Sequence, residues 1–436
     1  MGEATSTKWY FGWNIVAASA VLTLLTVGMR MGIGPFFLPM AQDLGFSRSL
    51  LAGIVAIGML FYGLAMPLAG YLVSVRGTRF VLLLGTAIVV GSSIWTVLAR
   101  GPINFLLAFG VAFSVGLAFT SPVALTPVIS RWFTRRRGMA LFFLSTGSMA
   151  GIAVMTPVFT FLISRLGWQE SMVAFSIFFA LITIPTALFV IREEAPLTSD
   201  LLPEQAAIKL AAATASAKAA TASSSARAST HAAQGMSTLE AMRTKPFLLI
   251  CLGLFTCGFS MNLLGTHGVP MLMDHGFDAM TSSMGIGLIG FVAIFGTLVL
   301  GRLSDILERR NILAVIYLVR GLGFFALVWV GAHWELYLAA TIGGLVWAGS
   351  IAMSSAILAD VYGVRLVGML YGWSYLSHQV GAMISSWLGG WGYERFGTHW
   401  VAFGASGALL LAAAVVAMFL PKRGYALSPT RTFARA

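Results

Sequence analysis

Blocks of about 20 or more apolar residues follow one another along the chain, separated by short polar turns. Each block is long enough to cross roughly 30 Å of hydrocarbon as a helix, at about 1.5 Å per residue. Runs such as 15–27 and 409–420 lack the strict alternation of a membrane β-strand, so the spans are read as helices, which satisfy their own backbone polar groups. Twelve can be written: 11–39, 47–73, 79–99, 102–130, 138–164, 169–191, 246–273, 280–304, 311–332, 334–359, 366–393 and 399–420. The first is too long for a secretory leader and carries Arg30, so it is read as a retained helix. Between the sixth and seventh, residues 193–243 are dominated by Ala, Ser and Thr and cannot bury a core, although 205–220 has some helical tendency. That stretch is read as a linker between a six-helix unit over 1–192 and a second over 244–421, with a tail over 422–436.

Composition agrees. The 436 residues are 58% hydrophobic and 10% charged, with a mean hydropathy of +0.88, whereas soluble domains carry roughly 25% charged residues. The expected fold class is therefore an all-α membrane protein. The net charge of +12 is unevenly placed: 21 of the 27 Lys and Arg residues fall in the termini, the linker and the turns on that side, against four in the opposite turns. By the positive-inside rule the termini and linker are expected in the cytoplasm, in an inner or plasma membrane. The charge is then a topology signal with some attraction to anionic lipid, and nucleic acid is not an expected partner. Cys251 and Cys257 are six residues apart in one span, too far for a disulfide, and are read as packing residues. No phosphate-binding loop, paired nucleophile and base, or metal-ligand cluster is visible, so neither ATP hydrolysis, enzyme activity nor a cofactor is expected.

The two halves repeat at an offset of 230 to 231 residues. Pro39-Met40 through Asp43 to Gly45-Phe46 recurs as Pro270-Met271 through Asp274 to Gly276-Phe277, Gly70-x-Leu72 recurs as Gly301-x-Leu303, and Gly138-Met139 with Gly151 recurs as Gly368-Met369 with Gly381. Two six-helix units of like topology suit rocking about a central site. In these features the chain resembles the major facilitator superfamily, whose signature turn Gly-x-x-x-Asp-(Arg/Lys)-x-Gly-(Arg/Lys)-(Arg/Lys) follows the second helix and is echoed after the eighth. The echo keeps Gly301, Asp305, Arg309 and Arg310, while the first copy keeps Gly70, Gly77 and Arg79 but has Ser74 where the acid belongs. The resemblance implies a cytoplasmic gate drawing on Ser74, Arg76, Arg79, Asp305 and Arg309, with the first-half latch altered by Ser74. A narrower resemblance, to the monocarboxylate porters and the oxalate/formate-antiporter-like branch, rests on Trp9-Tyr10-Phe11-Gly12-Trp13, on Arg131-Trp132-Phe133 through Arg135-Arg136-Arg137-Gly138, and on Tyr371-Gly372 through His378-Gln379.

Ionisable residues inside a span are costly and point to function. Arg30 and Arg320 lie within spans, and no acid does, so the interior field is positive and suits an anion. Arg30 is the first candidate for substrate contact, because a guanidinium can hold a carboxylate by two hydrogen bonds and Gly28, Gly32 and Gly34 leave room beside it. It also stands near the first-helix lysine of eukaryotic relatives; the alternative is an arginine that snorkels or pins a neighbouring helix. Arg320, in the ninth helix, is read as a structural tie. His267 and His378 are candidates for substrate contact and for the co-transported proton, the alternative being histidines that simply bond between helices. Asn262, Tyr375 and Gln379 complete the expected binding set, while Tyr62, Tyr371 and Trp347 are read as packing aromatics. Many relatives carry an eighth-helix arginine where this chain has Thr297. The reading is a monomeric secondary transporter of a small organic anion, a monocarboxylate, by proton symport or anion exchange. A transporter-like sensor and an exporter of hydrophobic compounds are the alternatives, and the lack of a membrane acid counts against export of cations.

Overall fold

A computed structural model describes residues 10–133, 136–195 and 237–422. Most of the linker, including 205–220, the tail from 423 and the Asp305 side chain lie outside the described residues. The first span is two helices, Gly12–Met31 and Gly34–Leu44, and the next five are Arg48–Arg76, Thr78–Leu98, Pro102–Trp132, Arg137–Leu166 and Trp168–Val190. After a capped turn, Thr238–Met242, come the seventh to twelfth spans: Lys245–Asp274, Ala279–Ile306, Arg309–Trp329, His333–Gly363, Val364–Phe396 and Trp400–Ala417. Eleven of the spans are long and apolar enough to cross a bilayer by composition alone. The remaining one, the eleventh, has 33 residues but is diluted by Ser374, Ser377, His378, Gln379, Ser385 and Ser386, polar groups it turns toward its neighbours: all but Ser377 are fully buried. Apolar side chains such as Leu181, Phe189 and Trp329 stand exposed on the outside, the surface a bilayer requires.

The sequence repeat has a structural cause. Gly45 and Gly276 both adopt positive φ at the end of a span, and the next amide reaches back to a helix carbonyl, Phe46 to Ala41 at 3.0 Å and Phe277 to Leu272 at 3.1 Å. This is the Schellman closure, which needs a residue free of a Cβ penalty. One residue on, Ser47 and Asp278 cap the second and eighth spans, accepting from Leu50 at 3.1 Å and from Met280 and Thr281 at 2.9 Å.

Four spans are less regular than the hydrophobic pattern predicts, among them the sixth, which ends as a π-helix over Thr186–Val190. The first breaks at Gly32–Ile33, the fourth winds as a π-helix over Leu106–Phe113 and breaks at Thr120–Ser121, and the tenth breaks at Val346–Ala348. Breaks are tolerated inside a membrane where other groups take up the freed backbone. At the fourth-span break Thr26 Oγ1 donates to the Thr120 carbonyl at 3.2 Å. At the tenth, Arg320 donates to the carbonyls of Val346, at 3.1 Å, and Trp347, and reaches Cys257 Sγ at 3.4 Å. Cys257 therefore does more than pack: its contact with Ser350 Oγ, at 3.1 Å, is the repeat equivalent of Thr26 with Thr120.

Each half has its own apolar core, and Met31, Met149 and Ile152 of the first half pack into the core of the second. The second span lies along the eleventh and the fifth along the eighth, contacts that the repeat exchanges with each other. Small residues bring these helices close. A Cβ on Gly290 would stand 2.7 Å from the Met149 carbonyl oxygen, and one on Gly63 would stand 2.7 Å from Gln379.

Candidate functional site

Arg30 is the next-to-last residue of the helix Gly12–Met31, just before the break in the first span. Its side chain, 7% exposed, crosses the seam between the halves. Nη2 donates to Asn262 Oδ1 on the seventh span at 3.0 Å and to Gln379 Oε1 on the eleventh at 2.9 Å. It also lies 3.6 Å from Met59 Sδ, and Cζ stands 4.3 Å above the Tyr62 ring. The partners are neutral: among the described residues no carboxylate pairs with Arg30. Burying a charge without a counter-ion is costly, so the site holds an uncompensated positive charge and neutral acceptors that can give way to an anion. Arg30 Nε, Gln379 Nε2 and both ring nitrogens of His378 have no partner among the described groups.

The structure thus brings together Arg30, Asn262 and Gln379 from three spans that sequence reasoning could only nominate separately. Tyr375 and His378 stack at 4.8 Å on the eleventh span. His267 is placed differently, with Nε2 at 2.7 Å from the Ser386 carbonyl and the ring against Phe37. The glycines beside Arg30 spend their room on helix packing rather than on a ligand. The space at Gly28 admits the Gly151 carbonyl of the fifth span, and that at Gly34 the Gly265 carbonyl of the seventh, each 3.0 Å from where a Cβ would stand.

Of the expected gate residues, Ser74 bonds to Tyr71 of its own helix, and Arg76 lies over Phe80. Arg79 donates to the Ile191 carbonyl and, through its amide, to Glu193, while Arg309 pairs with Asp360 at 2.6 Å. These contacts stay within the half that supplies them.

Sequence reasoning missed the apolar wall of the site. A narrow cleft of about 30 Å³ opens from Arg30 between the first, second and fourth spans, lined by Ile33, Val55, Met59, Phe109, Phe113 and Leu117, with Tyr62 and Ser114 as polar members. The π-helical stretch of the fourth span carries Phe109 and ends with Phe113, a local widening of the kind often found at functional sites. A π-helix has no simple residue signature, so only the apolar run itself was readable.

Twelve spans in two repeated halves, with a buried cation on the seam, define an integral membrane protein of the two-bundle transporter fold. The chain belongs to the Major Facilitator Superfamily, whose family profile matches residues 19–332 and 289–435. It is 24% identical over 384 residues to the MFS-type transporter YcxA of Bacillus subtilis, covering 87% of each chain. It is also 24% identical to human monocarboxylate transporter 11, over 94% of this chain and 83% of that one, and to mouse monocarboxylate transporter 6, over 73% and 67%. Among solved structures a D-xylose–proton symporter superposes with a TM-score of 0.68 at 14% identity, over 96% of this chain and 100% of the other, a likeness of fold alone.

Proposed function

We propose that the protein is a secondary transporter of a small organic anion, a monocarboxylate, working by alternating access with proton symport or anion exchange. The observation that carries this reading is the buried guanidinium of Arg30, shared between the halves through neutral amides and without an acid partner. An entering carboxylate supplies the missing charge, taking the two-pronged face of Arg30 with donors from Gln379 and His378, while its apolar part lies in the cleft along Phe109 and Phe113. Because Arg30 contacts both halves, an anion held there favours the states in which the halves meet around it. The monocarboxylate transporters among the relatives support the same substrate class. His267 and His378 are the proposed proton carriers, as titratable groups within spans whose interiors hold no acid.

The test is anion binding and uptake by purified protein in proteoliposomes, against a panel of mono- and dicarboxylates. Arg30→Ala should lower affinity on the order of a hundredfold, and Arg30→Lys should weaken it markedly, because an ammonium keeps the charge without the fork. A monodisperse Arg30→Ala protein with wild-type affinity would refute the assignment. His267→Gln and His378→Gln, singly and together, should flatten the pH dependence of uptake; an unchanged profile in the double variant would remove both as carriers.

A further inference from the structure

At the end of the bundle where the first span closes and the second begins, the halves are joined by a cluster of charges remote from Arg30. Arg48, the first residue of the second span, meets Asp274, the last residue of the seventh, by a two-pronged pair: Nη1 to Oδ2 at 2.5 Å and Nη2 to Oδ1 at 3.1 Å. The same Oδ2 lies 3.0 Å from Nε2 of His399, which leads into the twelfth span and is 5% exposed at its side chain. The Arg48 guanidinium also lies over the Tyr393 ring at 4.2 Å, and the Ser49 amide donates to Glu394 at 2.9 Å. Asp274 and, farther in, His267 from the seventh span, His275 just after it, Arg48 from the second and Tyr393 from the eleventh are the titratable and charged groups around His399 among the described residues, with rings at 4.5 Å for Tyr393 and 6.2 Å for His275.

We propose that Arg48, Asp274 and His399 form a proton-binding latch that holds the two halves together at this end and releases them when His399 takes up a proton. Arg48 belongs to the first half, Asp274 and His399 to the second. With His399 neutral, the Asp274 carboxylate is matched, among the described residues, by the Arg48 cation alone, and the attraction spans the seam. A proton on the imidazole places a second cation on the same carboxylate oxygen and a like charge facing Arg48. The carboxylate is then neutralised from within its own half, and the inter-half pair weakens. The Ser49–Glu394 bond has a neutral donor and is the lesser tie. Histidine changes charge between about pH 5 and 8, so acid on this side opens this end. Burial, and secondarily the nearby His399, hold His275 below the ordinary imidazole range. The latch is independent of substrate identity, so its failure would leave the Arg30 reading untouched.

The test is the distance between spin labels carried by non-canonical residues at Ile103 and Trp334, exposed positions at this end in opposite halves, in the full-length protein in nanodiscs. On going from about pH 8 to about pH 5.5, the ratio of long to short distances should rise about fivefold or more. His399→Gln, which can still donate to Asp274, should hold the short distance at both pH values, and His275→Gln should keep the wild-type response. Asp274→Asn should show the long distance throughout, and the exchange Arg48→Asp with Asp274→Arg should restore the short one at high pH. A wild-type response in His399→Gln, a short distance in Asp274→Asn, or a well-folded exchange variant that stays open would each overturn the latch.

Discussion

Arg30 and Arg320 are both guanidiniums buried without an acid partner among the described residues, and what separates them is the kind of oxygen they hold. Arg320 is bonded to the backbone carbonyls of Val346 and Trp347, which the break in the tenth span leaves without helical donors and which cannot move away without unwinding the span further. Arg30 is bonded to side-chain amides, which can rotate aside. Arg320→Met should therefore destabilise the protein by about 2 kcal/mol or more, through carbonyls left buried and unpaired. Anion affinity of the folded fraction should be preserved; thermal unfolding in detergent beside a binding curve checks both. The charge of each arginine was readable in the sequence, and the cost of burying it singled them out. Their partners were not readable, because Asn262 and Gln379 lie 232 and 349 residues from Arg30 and only packing brings them to it.

At the scale of elements, the turns after the first and seventh spans are built alike, and the second and eighth spans start on the caps Ser47 and Asp278. Ser47→Ala should cost about 1 kcal/mol of stability, the usual worth of an N-cap. Asp278 is held below the ordinary carboxylate range by hydrogen bonds from Thr281, first from its hydroxyl and then from its amide. A depressed pKa means that the ionised cap stabilises at neutral pH and that this contribution is lost as pH falls through the folded-state value. Asp278→Ala should thus lower the melting temperature at pH 7 and converge on the wild type in acid, as a thermal-shift series across pH would show. The repeat was legible because turn chemistry is local: a positive φ calls for glycine. The caps that follow it obey a local rule too, an orphan amide calling for a short oxygen-bearing side chain, but the structure revealed them. The π-helical stretch at Leu106–Phe113 and the break at Val346–Ala348 were not legible, because each depends on groups from other spans filling the space or taking the carbonyls.

For the whole molecule, the 21-to-4 distribution of basic residues makes a definite claim about orientation, with termini and linker in the cytoplasm. A single cysteine placed by Ser223→Cys in the linker should react with an impermeant thiol reagent only from inside, and one placed by Arg100→Cys only from outside; reversed labelling would overturn the orientation. Length, apolar runs and the repeat by themselves determined the span count and the two halves, because the bilayer demands about 20 apolar residues per crossing whatever surrounds them, while the family was legible as a resemblance in the turn motif over 301–310. The eleventh span shows the limit of that rule, its apolar run interrupted by the very polar groups that meet Arg30 and the seventh span. Only the tertiary structure decided that Arg30 lies on the seam with amides from two spans of the other half, that an apolar cleft opens beside it, and that Arg48, Asp274 and His399 converge at one end. Those arrangements follow from how two six-helix units press together, and the energy of that contact depends on residues hundreds of positions apart rather than on any local run.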